Sequence, residues 1–204
     1  MAQTAYTYED DIAAANQFLD RVIENAPHAT IDYLEGNHER RLERWVITQT
    51  LRNGRDAEWL RKQIAPEYVL KLKERGIKYY RQSENYQDIC IPGTIKKGKC
   101  YFTHGIGAVK HSAAKHIERF ADNVVFGHTH RRDSYTINTV SKPTIGAYSP
   151  GCLCKKQPTW MHTTPSDWTQ GFGVQTVLPS GKFQHVNVVI TNGESLLTEL
   201  LRAR

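Results

Sequence analysis

The sequence predicts an α/β domain. Helical periodicity dominates residues 8–75, short β-type runs take over from Ile77, and several of the apolar runs end in a glycine- and histidine-bearing loop. A chain of 204 residues is long enough for one domain with a real core. No linker, internal repeat or low-complexity stretch interrupts it, so the reading is a single domain over 1–204.

Residues 8–25, YEDDIAAANQFLDRVIEN, read as an amphipathic helix, with Ile12, Ala15, Leu19, Val22, Ile23 and Ala26 recurring at three and four. Glu9, Asp10 and Asp11 fall in its first turn, where the helix dipole favours them, and Pro27 ends it. ATIDYLEG (29–36) reads as a short strand leading into NHERR. Residues 39–52 look helical, with Leu42, Trp45 and Val46 on one side and Arg40, Arg41 and Arg44 towards solvent; Asn53–Gly54 is a stop. Residues 56–75 read as one or two helices broken near Pro66. The β-type runs are IKYY, YQDICI, GKCYFTHG, NVVFGHTH, DSYTINTV, PTIGAYSP, GFGVQTVL and FQHVNVVI, with a helix around 111–121 between them. The second half therefore carries much antiparallel sheet, and the tail ESLLTELLRAR is helical in pattern.

The net charge of +6 is unevenly spread. Residues 1–35 hold one basic and seven acidic residues, while 36–204 hold 26 basic and 14 acidic. A positive field around a site favours phosphates or nucleic acid, although a solubilising surface explains the same numbers. No run approaches the ~20 apolar residues of a membrane span, and the N-terminus shows no secretory pattern. Cys90, Cys100, Cys152 and Cys154 are too sparse for a disulfide framework and read as reduced thiols, which places the expectation in the cytoplasm.

Three segments share one format: IDYLEG-NHE, KCYFT-HG and NVVFG-HTH each place a histidine beyond an apolar strand. In open α/β sheets, sites collect beyond the carboxyl ends of strands. Asn37, His38, His104, His128 and His130 delivered to one rim make a nitrogen- and oxygen-rich set suited to Zn, Mn or Fe. His128 and His130 point the same way on an extended strand, whereas on a turn they serve different ions. Taken singly, each histidine reads as an ordinary polar cap.

GNHE, THG and GHTHR, in this order after β-runs, resemble the calcineurin-like metallophosphoesterases; KHSAAKH, GCLC and DWTQGF resemble phage-type and bacterial members. The resemblance implies a β-sandwich flanked by helices that holds two divalent ions (Mn, Zn, Fe or Mg) bridged by hydroxide. By the same resemblance Asn37, His104 and His128 are ligands of one metal and His130 of the other. His38 corresponds to the histidine that contacts phosphate and assists the leaving group.

The family's two earlier motifs are not found. No aspartate is followed by histidine two positions on, and none of the fourteen glycines is followed by aspartate. Asp10, Asp11 and Glu35 do not stand where the resemblance needs a bridging carboxylate. The expectation is thus a fold missing its first strand-helix-strand portion, an N-terminally truncated or split form with at most one ion loosely held. Its partners are a phosphate-ester substrate, nucleotide or nucleic acid by charge, and an N-terminal segment or chain that complements it. The rival readings are a non-catalytic nucleic-acid-binding module and one subunit of a split phosphoesterase.

His111 and Arg131 are read as substrate-phosphate contacts, with Lys110, Lys115 and His116 as a basic helix surface and Arg132 towards solvent. Cys152 and Cys154 lack the C-x-x-C spacing of zinc sites and read as buried strand thiols. Trp160 and Trp168 read as anchors of the loop between Pro158 and Pro165 and beyond.

Overall fold

A computed structural model describes residues 7–51, 56–141, 143–158, 161, 165–195 and 197–198. It is of mixed α/β class, and the chain divides into two compact units, Met1–Gln82 and Ser83–Arg204, each with its own core. No composition shift marks the boundary at Gln82. Among the described residues no helix is long and apolar enough to cross a membrane.

In the first unit, helix α1 (Tyr8–Asn25) starts at a capping box. The Thr7 hydroxyl accepts from the Asp10 N–H at 3.3 Å, and the Asp10 carboxylate accepts from the Thr7 N–H at 2.8 Å. These bonds hold the Asp10 carboxyl below its usual range. The apolar stripe of α1 buries Leu19 against Leu70, Leu72 and Ile77. Strand β1 (Asp32–Leu34) pairs in parallel with β2 (Lys78–Tyr80), Tyr33 opposite Tyr79. Parallel strands need a crossover, and here it is helical: α2 (Asn37–Leu51), α3 (Ala57–Ile64) and α4 (Pro66–Val69). Pro66 stands at the first position of α4, where its missing N–H removes no helical bond. Half-buried Arg61 and Arg81 alternate with Glu43 and Glu67 in one ion-pair network tying α2, α3 and α4 to the end of β2.

The second unit is built on a five-stranded sheet. In chain order its strands are β3 (Thr94–Lys97), β4 (Cys100–Thr103), β5 (Val124–Phe126), β6 (Arg132–Ile137) and β7 (Ile145–Pro150); their spatial order is β3-β4-β5-β7-β6. The three inner strands run parallel and the two edges antiparallel. Helix α5 (Ser112–Phe120) covers one face, burying Ala113 and Ile117 on Val124, Phe126, Ile145 and Ala147. Its first turn is capped from β6: the Asp133 carboxylate accepts from the Ala113 N–H at 2.8 Å. On the opposite face Tyr148 stacks on His185 with ring centroids 4.8 Å apart. His185 belongs to β9 (Phe183–Thr191), the centre of a second, antiparallel sheet between β8 (Gly171–Val177) and β10 (Glu194–Ser195). The unit is thus layered helix, sheet, sheet.

Several expectations are corrected. YQDICI forms turns rather than a strand, with Gln87 and Asp88 both in the left-handed region (φ 54 and 58). TIKK, which carries no strand expectation, is the edge strand β3. Glu194–Ser195, read as the start of a helix, pairs back onto Ile190 and Thr191 through an Asn192–Gly193 turn with φ of 52 and 83. Trp45 is 55 % exposed rather than packed beside Val46. Trp160, Asn53–Gly54 and most of the tail lie outside the described residues.

Phe126 is 1 % exposed at the centre of the second core. Phe126→Ala is expected to destabilise that unit by about 3–5 kcal/mol, while the exposed Trp45→Ala changes stability by roughly 0.5 kcal/mol or less. Urea denaturation of both variants checks the contrast.

Candidate functional site: an imidazole pair at the carboxyl edge of parallel strands

Parallel pairing aligns the ends of β4 and β5. Thr103 lies opposite Phe126, so the residues that follow leave the sheet at the same edge. The ladder runs one step further, with the Gly127 N–H donating to the His104 carbonyl at 3.0 Å. Gly105 has φ +126, and a Cβ there lies 3.0 Å from the His128 Cβ and 3.3 Å from the Gly127 carbonyl oxygen. Only glycine lets the two loops approach this closely.

The result is a side-chain pair: His104 Nε2 lies 3.1 Å from His128 Nδ1, with the rings edge to face at 5.0 Å and 65°. Two imidazole nitrogens bound to one ion at about 2.0–2.1 Å stand roughly 3–3.4 Å apart in tetrahedral or octahedral geometry. The observed spacing therefore suits a shared divalent ion with little rearrangement.

The loop behind the pair is held from below. His128 and His130 both adopt left-handed backbone, φ 67 and 56, on either side of buried Thr129. The Thr129 N–H donates to the Gly127 carbonyl at 2.7 Å, and its hydroxyl lies 3.3 Å from that of buried Ser149. Ser149 in turn donates to the Arg131 carbonyl at 2.8 Å. This turn sends the two histidines to different neighbours. His128 meets His104, whereas the His130 ring sits edge-on to Trp168 at 4.1 Å. The imidazole of His130 and the thiols of Cys152 and Cys154 lie within 4.8 Å of one another. Cys154 is exposed and Cys152 half-buried just after β7, so they are not the buried strand pair expected. Burial and the hydrogen bond with Cys154 raise the Cys152 thiol to about 11, and burial pushes Cys100 in the core to about 12.

Arg131 donates to the Asp167 carboxylate at 2.8 Å and to the Val109 carbonyl at 2.5 Å, which fixes its guanidinium within the protein. His111 is exposed at the start of α5. His116 is fully buried: its Nδ1 meets the Ser112 carbonyl at 2.7 Å, its Nε2 accepts from the Ile106 N–H at 3.2 Å, and its ring stacks on Phe126 at 3.6 Å. It is a neutral core histidine that braces the loop following His104.

In the first unit, Asn37 and His38 open α2 and part company. Asn37 lines a groove of about 580 Å³ with Arg40, Arg41, Arg44, Trp45 and Thr48. Exposed His38 lines a more apolar cleft with Tyr8, Tyr33 and Leu42. Glu35 beside them is 2 % exposed; its carboxylate accepts from the Tyr79 hydroxyl at 2.8 Å and from the Gln82 N–H at 2.7 Å. Burial, then this bond to Glu35, raises the Tyr79 phenol. Both oxygens of Glu35 are thus engaged in fastening β1 to the end of β2.

Residue-by-residue reading missed Thr129, Ser149 and Gly151, and gave Trp168 only an anchoring role. The small hydroxyl residues carry no periodic signal. No protein-family model, curated protein or solved structure matches this chain.

Glu35→Ala deprives two part-buried donors, the Tyr79 hydroxyl and the Gln82 N–H, of their acceptor and is expected to lower stability by about 1–3 kcal/mol in all. Glu35→Gln, which keeps an acceptor, should recover part of that loss in chemical denaturation. Burial also lowers the affinity of His116 for a proton below the ordinary value of 6.5, with the Ser112 bond and Asp133 opposing the shift. The unfolded chain binds that proton first, so this contribution to stability is complete above pH 6.5 and is lost as the pH falls through the lowered value. His185 is shifted the same way by burial. The melting temperature should therefore fall on acidification through pH 6.5, and less steeply in His116→Gln.

Proposed function

We propose that this protein is a metal-dependent phosphoesterase that hydrolyses phosphate mono- or diesters, with nucleotides or nucleic acid as the favoured substrate class. The observation that carries the reading is the 3.1 Å imidazole pair of His104 and His128 at the carboxyl edge of parallel strands. Its donor chemistry fits a borderline divalent ion such as Mn, Zn or Fe. A bound ion supplies polarisation of a phosphoryl oxygen and a lowered pKa for water. The chain's own part is to hold that ion on two rings fixed by Gly105 and the braced 127–131 turn, in a protein whose net charge of +6 favours anions. No Gly-Asp dipeptide is present to offer the bridging carboxylate of a two-ion centre, so turnover by this chain is slow.

A chromogenic phosphodiester assayed with Mn tests this. Slow hydrolysis that a chelator abolishes is expected, falling at least about 100-fold in His104→Ala and His128→Ala together with Mn affinity. Hydrolysis unchanged in His128→Ala, or indifferent to chelator, overturns the proposal.

The groove of Arg40, Arg41, Arg44 and exposed Trp45 favours a second reading, a module that binds nucleic acid without catalysis. Guanidinium groups beside an aromatic face suit phosphates and stacked bases. Metal-independent binding to single-stranded DNA that weakens with salt, and weakens again in Arg40→Ala or Arg44→Ala, distinguishes it.

A further inference from the structure

We propose that His130, Cys152 and Cys154 form a second, thiolate-bearing metal site for zinc or a comparably soft divalent ion. This goes beyond the phosphoesterase reading and needs neither His104 nor His128.

The three potential ligand atoms lie within 4.8 Å of one another. Around one zinc, with bonds of about 2.0–2.3 Å, such atoms stand roughly 3.3–3.8 Å apart, so closure asks for only small side-chain adjustments. Two sulfurs and one imidazole select zinc over the harder ions that suit a nitrogen- and oxygen-only set. Three protein ligands leave a fourth position for water or a further ligand.

The scaffold of the cluster is specific. One segment, Trp168–Gln170, fastens both parts of it. The Thr169 N–H donates to the His130 carbonyl at 2.9 Å, and the Thr169 carbonyl accepts from the Cys152 N–H at 2.9 Å. Gln170 Nε2 donates to the Cys154 carbonyl at 2.9 Å. The Trp168 ring against His130 sets the plane of the imidazole. Gly151, φ +97, permits this approach, since a Cβ there stands 2.3 Å from the Thr169 carbonyl oxygen. A Cys-x-Cys pair alone lacks a zinc spacing; the third ligand comes from a loop more than twenty residues earlier in the sequence.

Cobalt(II) is the probe, added to the reduced full chain. A near-ultraviolet sulfur-to-cobalt charge-transfer band is expected at one equivalent and should disappear on adding zinc. Cys152→Ser or Cys154→Ser should remove about half the band or more, while Cys90→Ser leaves it intact. His130→Cys, a third thiolate, should strengthen it. His104→Ala and His128→Ala should keep the band while losing Mn-dependent hydrolysis, so failure of either proposal shows separately. Absence of the band, its persistence in both the Cys152→Ser and Cys154→Ser variants, no gain in folded His130→Cys, or a Cys152–Cys154 disulfide found by thiol counting overturns the inference.

Discussion

Parallel pairing of β4 with β5 is the constraint on which the second unit depends. Two parallel neighbours cannot be joined by a tight turn, so the chain must cross over, and α5 is that crossover. The crossover supplies the cover for Val124, Phe126, Ile145 and Ala147. The same pairing forces the loops after both strands onto one edge, where His104 and His128 meet. Core and site are therefore one arrangement. His116 joins them physically, because its ring lies on Phe126 while its Nε2 holds the backbone of Ile106, two residues beyond His104.

Helices and inner strands were legible from the sequence because their signals are local and repeated. The stripe through Ile12, Ala15 and Leu19, the break at Pro66, and the VVF and IGAYSP runs all lie where their patterns place them. Edge β3 escaped because two of its four residues are lysines, which suit an edge and carry no apolar alternation. YQDICI departs in the opposite sense: it ends in the apolar run Ile89–Cys90–Ile91, but the left-handed Gln87 and Asp88 fold it into turns. The Asn192–Gly193 hairpin carries the strongest short-range turn signal known, but the helical period of the leucine-rich tail overlaps Glu194–Ser195 and masks it.

The site was legible in part for a related reason. Motif spacing identifies which residues end strands, and strand ends in a parallel sheet share an edge. It does not say which way a turn aims its side chains. Two left-handed residues around Thr129 separate His128 from His130, giving one an imidazole neighbour and the other an indole and two thiols. Cys152 and Cys154 looked inert from their own spacing because their third companion comes from residue 130. In the first unit, adjacency in sequence was equally misleading: on a helix, neighbours lie about 100° apart, so Asn37 and His38 open onto different clefts.

The left-handed histidines carry a cost in stability. A β-carbon in that region costs roughly 1 kcal/mol relative to glycine, and Thr129 and Ser149 hold the turn in place despite it. Selection for stability alone favours glycine or asparagine at 128 and 130. The two imidazoles are thus carried on a backbone that glycine or asparagine would occupy at lower cost. A chain carrying Gly-x-Gly or Asn-x-Asn in this turn would shed that cost and melt at a higher temperature.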